Sequence, residues 1–112
     1  MLKHKNKTIA RNVRTRKSIQ GKALGLMFSR KEDMKNSCLI FDFKEEQVIP
    51  LHMIFVFYAI DVIYTNKDKK IVEIKRKFKP FTFYTPKKKA KYVIELAKNA
   101  SKNLKVGDKL EW

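Results

Sequence analysis

The chain has 112 residues and a mass of 13.3 kDa, which suits one domain spanning residues 1–112 rather than two. Apolar residues make up 44% of it, too many for a disordered chain, and its one cysteine excludes an intrachain disulfide and fits a reducing compartment. The 27 Lys and Arg against 11 Asp and Glu leave a net charge of +16, which argues against a neutral structural module.

Residues 2–8 alternate Lys3, Lys5 and Lys7 with His4, Asn6 and Thr8. Neither side is apolar, so this segment is expected as an edge strand or a loose tail. Ser18 is read as the N-cap of a helix running to about Phe28, with Ile19, Ala23, Leu26 and Met27 on one face. Gly21 and Gly25 lie four residues apart on that helix, a spacing that suits close packing of another backbone or approach of a ligand. Alternatively, Gly25 is the cap that ends it. Leu39, Phe41 and Phe43 alternate with Cys38, Ile40 and Asp42, which predicts a strand with one apolar face. After the polar connection at 45–47, Met53 to Phe57 is apolar at every position, the pattern of a strand covered on both faces. Ile60, Val62 and Tyr64 predict the next strand, and Asn66 to Lys69 a hairpin loop leading to a strand at 71–74. Phe78 to Tyr84 is aromatic and broken by Pro80, which predicts an edge position. Tyr92 to Leu96 is a further strand, and Ala100 to Leu104 a single helical turn. Gly107-Asp108 is a turn before a last strand, Lys109 to Trp112. Six or seven short strands and one main helix near the N-terminus predict an α+β fold, a small β-rich, partly closed barrel-like sheet.

The charge is unevenly distributed. Residues 1–35 carry eleven basic and two acidic groups, residues 36–65 one and four, and residues 66–112 fifteen and five. The first residues lack the apolar run of a secretory signal. Val48 to Tyr64 is almost wholly apolar but holds Pro50, His52 and Asp61, reaches only the lower limit for a spanning helix, and favours strands by its Val, Ile, Phe and Tyr content. A cytoplasmic protein with no membrane partner is therefore expected.

The residues Ser18-Ile19-Gln20-Gly21-Lys22-Ala23-Leu24-Gly25-Leu26-Met27 resemble the Gly-Leu-Met helix of domain-of-unknown-function family 192, a group of small bacterial and archaeal proteins with no settled activity. Lys22 stands where the family usually has Arg. A second signature of the family, Trp-Met-Lys-Asn-Thr followed by an Asp eight residues after the Met, is similar to Met53 and Asp61. A third resembles Tyr92-Val93-Ile94-Glu95-Leu96 and Gly107-Asp108. The three pieces are collinear over roughly residues 8 to 112. The resemblance implies a β-rich, barrel-like α+β fold. Two departures stand out: His52 replaces the Trp, and Ile54-Phe55-Val56 replaces the polar Lys-Asn-Thr. Ala59 stands where the family has Pro, which supports a bend there.

Three basic clusters are the strongest functional signal: Arg14, Arg16 and Lys17; Lys75, Arg76, Lys77 and Lys79; and Lys87, Lys88, Lys89 and Lys91. Such density attracts phosphates, and Phe81, Phe83 and Tyr84 lie between two of the clusters, where they are suited to stack unpaired bases. The bland counterpart is a solvated Lys-rich surface of the kind thermophiles favour, although that habit balances Lys with Glu and this chain does not. Asp61, among apolar neighbours, is expected to hold a turn through backbone N–H groups. Cys38, His52 and Asp61 have no spacing that demands a catalytic triad, and no zinc-type spacing or Gly-rich phosphate loop is present. The expectation is a non-enzymatic protein, with no cofactor or metal, whose basic surface binds nucleic acid or another polyanion. One alternative is a small-ligand or metabolic accessory domain with a pocket near Lys22, Met53 and Asp61. Another is an interaction module for an acidic protein partner.

Overall fold

The computed structural model describes residues 1–18 and 31–112. It contains strands β1 (Leu2–His4), β2 (Lys7–Ala10), β3 (Asn12–Ser18), β4 (Ser37–Gln47), β5 (Leu51–His52), β6 (Ile60–Thr65), β7 (Ile71–Phe78), β8 (Phe83–Tyr84) and β9 (Ala90–Ala97). One short 3-10 turn, Lys31–Met34, precedes β4. Five strands form the main sheet in the order β3-β4-β9-β6-β7, with β3 parallel to β4 and the other pairs antiparallel. Two ribbons accompany it, β1 with β2 and β5 with β8.

Alternation along each strand divides the core into two layers, one on each face of the sheet. Leu39, Phe41, Phe43, Val62, Tyr64 and Val93 face one side and pack against Ile49, Leu51, Met53 and Phe78. Cys38, Ile40, Ile63, Ile94 and Leu96 face the other and pack against Leu2, Ala10, Leu104 and Leu110. The inner strand β6 is covered on both faces, and all six of its residues are buried. This is why it reads as a continuous hydrophobic run, whereas the edge strand β7 buries only Ile71 and Phe78.

Several expectations are corrected by this arrangement. The fold is not α+β: the described residues are almost entirely β, contain no α-helix, and form an open five-stranded sheet rather than a closed or partly closed barrel. The expected main helix, from the Ser18 N-cap to about Phe28, lies outside the described residues except for Ser18, which ends β3. Residues 53–57 are not a covered strand. Val56 N–H donates to the Met53 carbonyl at 3.1 Å, closing a turn, and Phe55 takes a left-handed φ of 58°. Only Leu51–His52 pairs, with Phe83–Tyr84. The N-terminal residues, expected as an edge strand or a loose tail, form the β1–β2 hairpin, from which Leu2 and Ala10 plug the second core layer. The last segment is held by single bridges, Lys3 to Glu111 and Lys70 to Lys109, rather than by a continuous strand. Among the described residues, no helix is long and apolar enough to cross a membrane.

Candidate nucleic-acid interface

The strand order separates the three basic clusters. Arg14, Arg16 and Lys17 lie exposed on β3, at one edge of the sheet, whereas Lys75, Arg76 and Lys77 lie on β7 at the other edge. Four strand spacings lie between them, roughly 19 Å. Arg14 and Arg16 register with Leu39 and Phe41, and Lys17 with Asp42. Positive side chains on an edge strand also discourage unwanted pairing with another sheet, so this cluster has a structural role of its own.

The second cluster is divided again by the period of two along β7. Lys75 turns to the face that carries Tyr84, with its Nζ 5.2 Å from the ring centroid. Arg76 turns to the opposite face, where its guanidinium donates to the Ser101 carbonyl at 3.2 Å and to that of Leu104. Arg76 therefore ties the C-terminal turns to the sheet. Lys91, from the third cluster, pairs with Asp42 and lies 4.9 Å from the Tyr92 ring. Of the lysines in these two clusters, Lys77, Lys79, Lys87, Lys88 and Lys89 are exposed, while Lys75 and Lys91 are half-buried.

Clusters two and three meet around Glu73. Its Oε1 accepts the backbone N–H groups of Lys87 at 2.9 Å and Lys88 at 3.0 Å, and its Oε2 accepts the Tyr84 hydroxyl. Burial, and then the hydrogen bond to Glu73, push the Tyr84 phenol up to about 12. These contacts hold Tyr84 and the backbone of Lys87 and Lys88 against Glu73 of β7, so that this part of the third cluster lies beside the strand that carries the second.

Beside this basic edge lies a cluster of aromatic rings. Phe57, Phe81 and Phe83 are 63%, 49% and 72% exposed. Phe57 and Phe55 pack edge-on against Phe81, with centroids 5.4 Å and 6.0 Å away, and His52 lies 6.4 Å from Phe83. His52 Nδ1 accepts the Ile54 N–H at 3.2 Å. The reading of 53–57 as a buried strand hid Phe57 and His52 as members of this cluster. The family resemblance offered one signal: its signature has polar Lys-Asn-Thr where this chain has Ile54-Phe55-Val56, and of these Phe55 is exposed.

Of the alternative pocket, Met53 and Asp61 lie among the described residues. Lys22 lies outside the described residues, and Met53 is buried in the first core layer. Asp61 is fully buried: its Oδ1 accepts the Lys77 N–H at 3.0 Å, and its Oδ2 accepts the Ser101 N–H at 3.1 Å and hydroxyl at 2.5 Å. It thus joins β6 to β7 and to the turn after β9. A cleft of about 450 Å³ opens elsewhere, lined by residues that include Lys31, Met34, Tyr58, Ala97 and Lys98. Cys38 and Asp61 are held on β4 and β6 with β9 between them, while His52 belongs to a separate ribbon. Burial pushes the Cys38 thiol up to about 11, away from thiolate chemistry. Among the described residues, no three His, Cys, Asp or Glu side chains gather to hold a metal ion.

Comparison with known proteins fits this architecture. The model of domain-of-unknown-function family 192, described as an uncharacterised ACR, matches residues 1–112. The chain belongs to this family. Among its relatives, a UPF0127 protein of Pyrococcus furiosus is 38% identical over 112 residues, covering 96% of this chain and 92% of the relative. One from Pyrococcus horikoshii is 32% identical over 112 residues, with 96% and 93% covered. Two solved structures share the fold. A protein from Sinorhizobium meliloti, described as a candidate transcription regulator, has a TM-score of 0.72 at 23% identity, covering 87% of this chain and 79% of its own. A protein of unknown function from Novosphingobium aromaticivorans has a TM-score of 0.71 at 22% identity, with 88% and 75% covered.

Proposed function

We propose that this family member is a non-enzymatic nucleic-acid-binding protein whose contact surface is the β7 edge, formed by Lys75, Lys77, Lys79, Lys87, Lys88 and Lys89. The observation that carries the reading is that Glu73 holds the backbone of Lys87 and Lys88 while Lys75 lies over Tyr84, which brings parts of two basic clusters together beside β7. Lysines along one edge neutralise successive phosphates and release their counterions, a mechanism that needs no base-specific group. Arg76 and Lys91 drop out of this surface because internal acceptors hold them. Arg14, Arg16 and Lys17 drop out because the sheet carries them to its far edge.

Fluorescence anisotropy with a labelled mixed-sequence oligonucleotide, titrated with salt, tests this. Log affinity is expected to fall linearly with log salt, with a slope of about −3 to −5. Replacing Lys87, Lys88 and Lys89 by Ala is expected to make that slope shallower by about 1 for each phosphate left without its lysine. The triple replacement of Arg14, Arg16 and Lys17 by Ala is expected to change affinity by no more than about threefold, through long-range steering alone. Absence of binding at low salt, binding indifferent to ionic strength, or a larger loss from the β3 variant than from the Lys87–Lys89 variant would overturn the assignment.

A further inference from the structure

The aromatic cluster beside the lysines is costly as a resting surface. Phe81 and Phe83 expose about half or more of their area to water, and Phe81 holds a left-handed φ of 58°, a conformation that a bulky side chain rarely adopts. Its backbone is nevertheless pinned: the Phe81 N–H donates to the Met53 carbonyl at 2.8 Å, and the Met53 N–H donates to the Thr82 carbonyl at 2.8 Å. The β5–β8 ribbon fixes His52 opposite Phe83. The rings are thus presented at set positions by backbone hydrogen bonds on both sides, and lysines precede and follow them in the chain at Lys77, Lys79 and Lys87 to Lys89.

Apolar ring surface next to a row of ammonium groups matches a ligand with alternating apolar and anionic parts. Unpaired nucleotides have this composition, with bases on one side and phosphates on the other. A duplex hides its bases and offers phosphates alone. A bilayer would also take up apolar rings beside lysines, but it needs no fixed spacing between them, and here both ring positions are set by backbone pairing. We infer that His52, Phe57, Phe81 and Phe83 form a stacking platform for about two or three consecutive unpaired bases, so that this surface selects single-stranded nucleic acid over duplex. This rests on the phosphate-binding role proposed for the adjoining lysines and adds to it the choice of strand state.

The test compares the intact chain with Phe83→Ala, Phe57→Ala and Phe83→Trp. Each is titrated with a labelled single strand of about 12 nucleotides, the duplex of the same sequence, and vesicles of anionic phospholipid, after thermal melting has shown that the variant is folded. Phe57 and Phe83 are chosen because they are exposed and free of the strained φ of Phe81. The intact chain is expected to bind the single strand at least about tenfold more tightly than the duplex. Phe83→Ala is expected to weaken single-strand binding by about 5- to 100-fold and to leave duplex binding unchanged, while Phe83→Trp restores it. Equal affinity for both forms, unaltered in Phe83→Ala, overturns the platform and leaves the phosphate reading standing. Binding of neither form at low salt overturns both. Loss of vesicle binding in the Phe variants, with oligonucleotide binding intact, overturns the platform in favour of a lipid surface.

Discussion

Replacing Asp61 by Ala is expected to destabilise the fold by about 4 kcal/mol, near the upper end of what a single substitution does. The carboxylate is fully buried and accepts three hydrogen bonds, from the Lys77 N–H and from the N–H and hydroxyl of Ser101. Hydrogen bonds to a charged acceptor contribute about 1.5–3 kcal/mol each, and truncation leaves their donors enclosed without partners. The loss also cuts across topology, because these bonds link β6 to a left-handed residue of β7, Lys77 at φ 51°, and to the turn that Arg76 holds from the other side. Asp61→Asn keeps the shape and one acceptor oxygen, and is expected to fall between the parent and the Ala variant. Thermal melting measures this directly: a drop of about 15 °C or more for the Ala variant follows from a domain of this size. A change of less than about 3 °C would show that the three bonds are not holding the sheet, and would return Asp61 to the candidates for ligand contact.

The second large effect depends on pH. Glu95 is 5% exposed on β9, and its Oε1 has no hydrogen-bond partner. Its face also carries Tyr64, whose hydroxyl is likewise buried and unpartnered, and whose phenol is pushed upward by burial and then by its neighbours Tyr84, Glu73 and Glu95. Burial raises the Glu95 carboxyl from 4.5 to about 8. The folded chain therefore retains a proton at neutral pH that the unfolded chain releases. Between these two values the native state binds more protons, so stability is greatest below pH 4.5 as far as this group is concerned and falls as pH rises through about 8. Glu95→Gln removes the ionisation while keeping the shape. It is expected to match the parent near pH 4.5 and to exceed it by up to about 4 kcal/mol near pH 9. Urea denaturation midpoints at a series of pH values read the difference. Parallel curves for the two proteins from about pH 5 to 9 would mean that Glu95 stays ionised in the fold.

Strand identity was legible wherever both neighbours of a strand lie within the sheet. The alternation of Leu39, Phe41 and Phe43 with Cys38 and Ile40 marks β4 because its two faces pack against different core layers. The near-continuous apolar run from Ile60 to Tyr64 marks β6 because it is enclosed on both sides. The same rule misled at Met53 to Phe57, where a run of equal hydrophobicity is a turn with its rings in water. Composition cannot tell a covered strand from an exposed aromatic cluster, because both are written in Phe, Ile and Val; the difference lies in whether another layer arrives to cover them. β3 went unread because its residues at 12–17, exposed except for half-buried Val13, carry no apolar period, and it exists through its parallel pairing with β4.

Charge follows the same division. The +16 balance and the three basic clusters are properties of the chain, as is the placement of Phe81 and Phe83 between two of them. So is the kinship with family 192, carried by collinear short motifs that local spacing preserves. Which clusters meet was decided by strand order: β3 and β7 became opposite edges, and the segment after β7 folded back to bring Lys87 and Lys88 to Glu73. Within β7, the pleat sent Lys75 and Arg76 to opposite faces, one to an aromatic ring and the other to backbone carbonyls. Local pattern follows from steric and hydrophobic periods that act over a few residues. The joining of distant segments depends on long-range hydrogen bonding and on which core layer closes over which face, so that neighbours in the chain became strangers in space and distant residues came to share one surface.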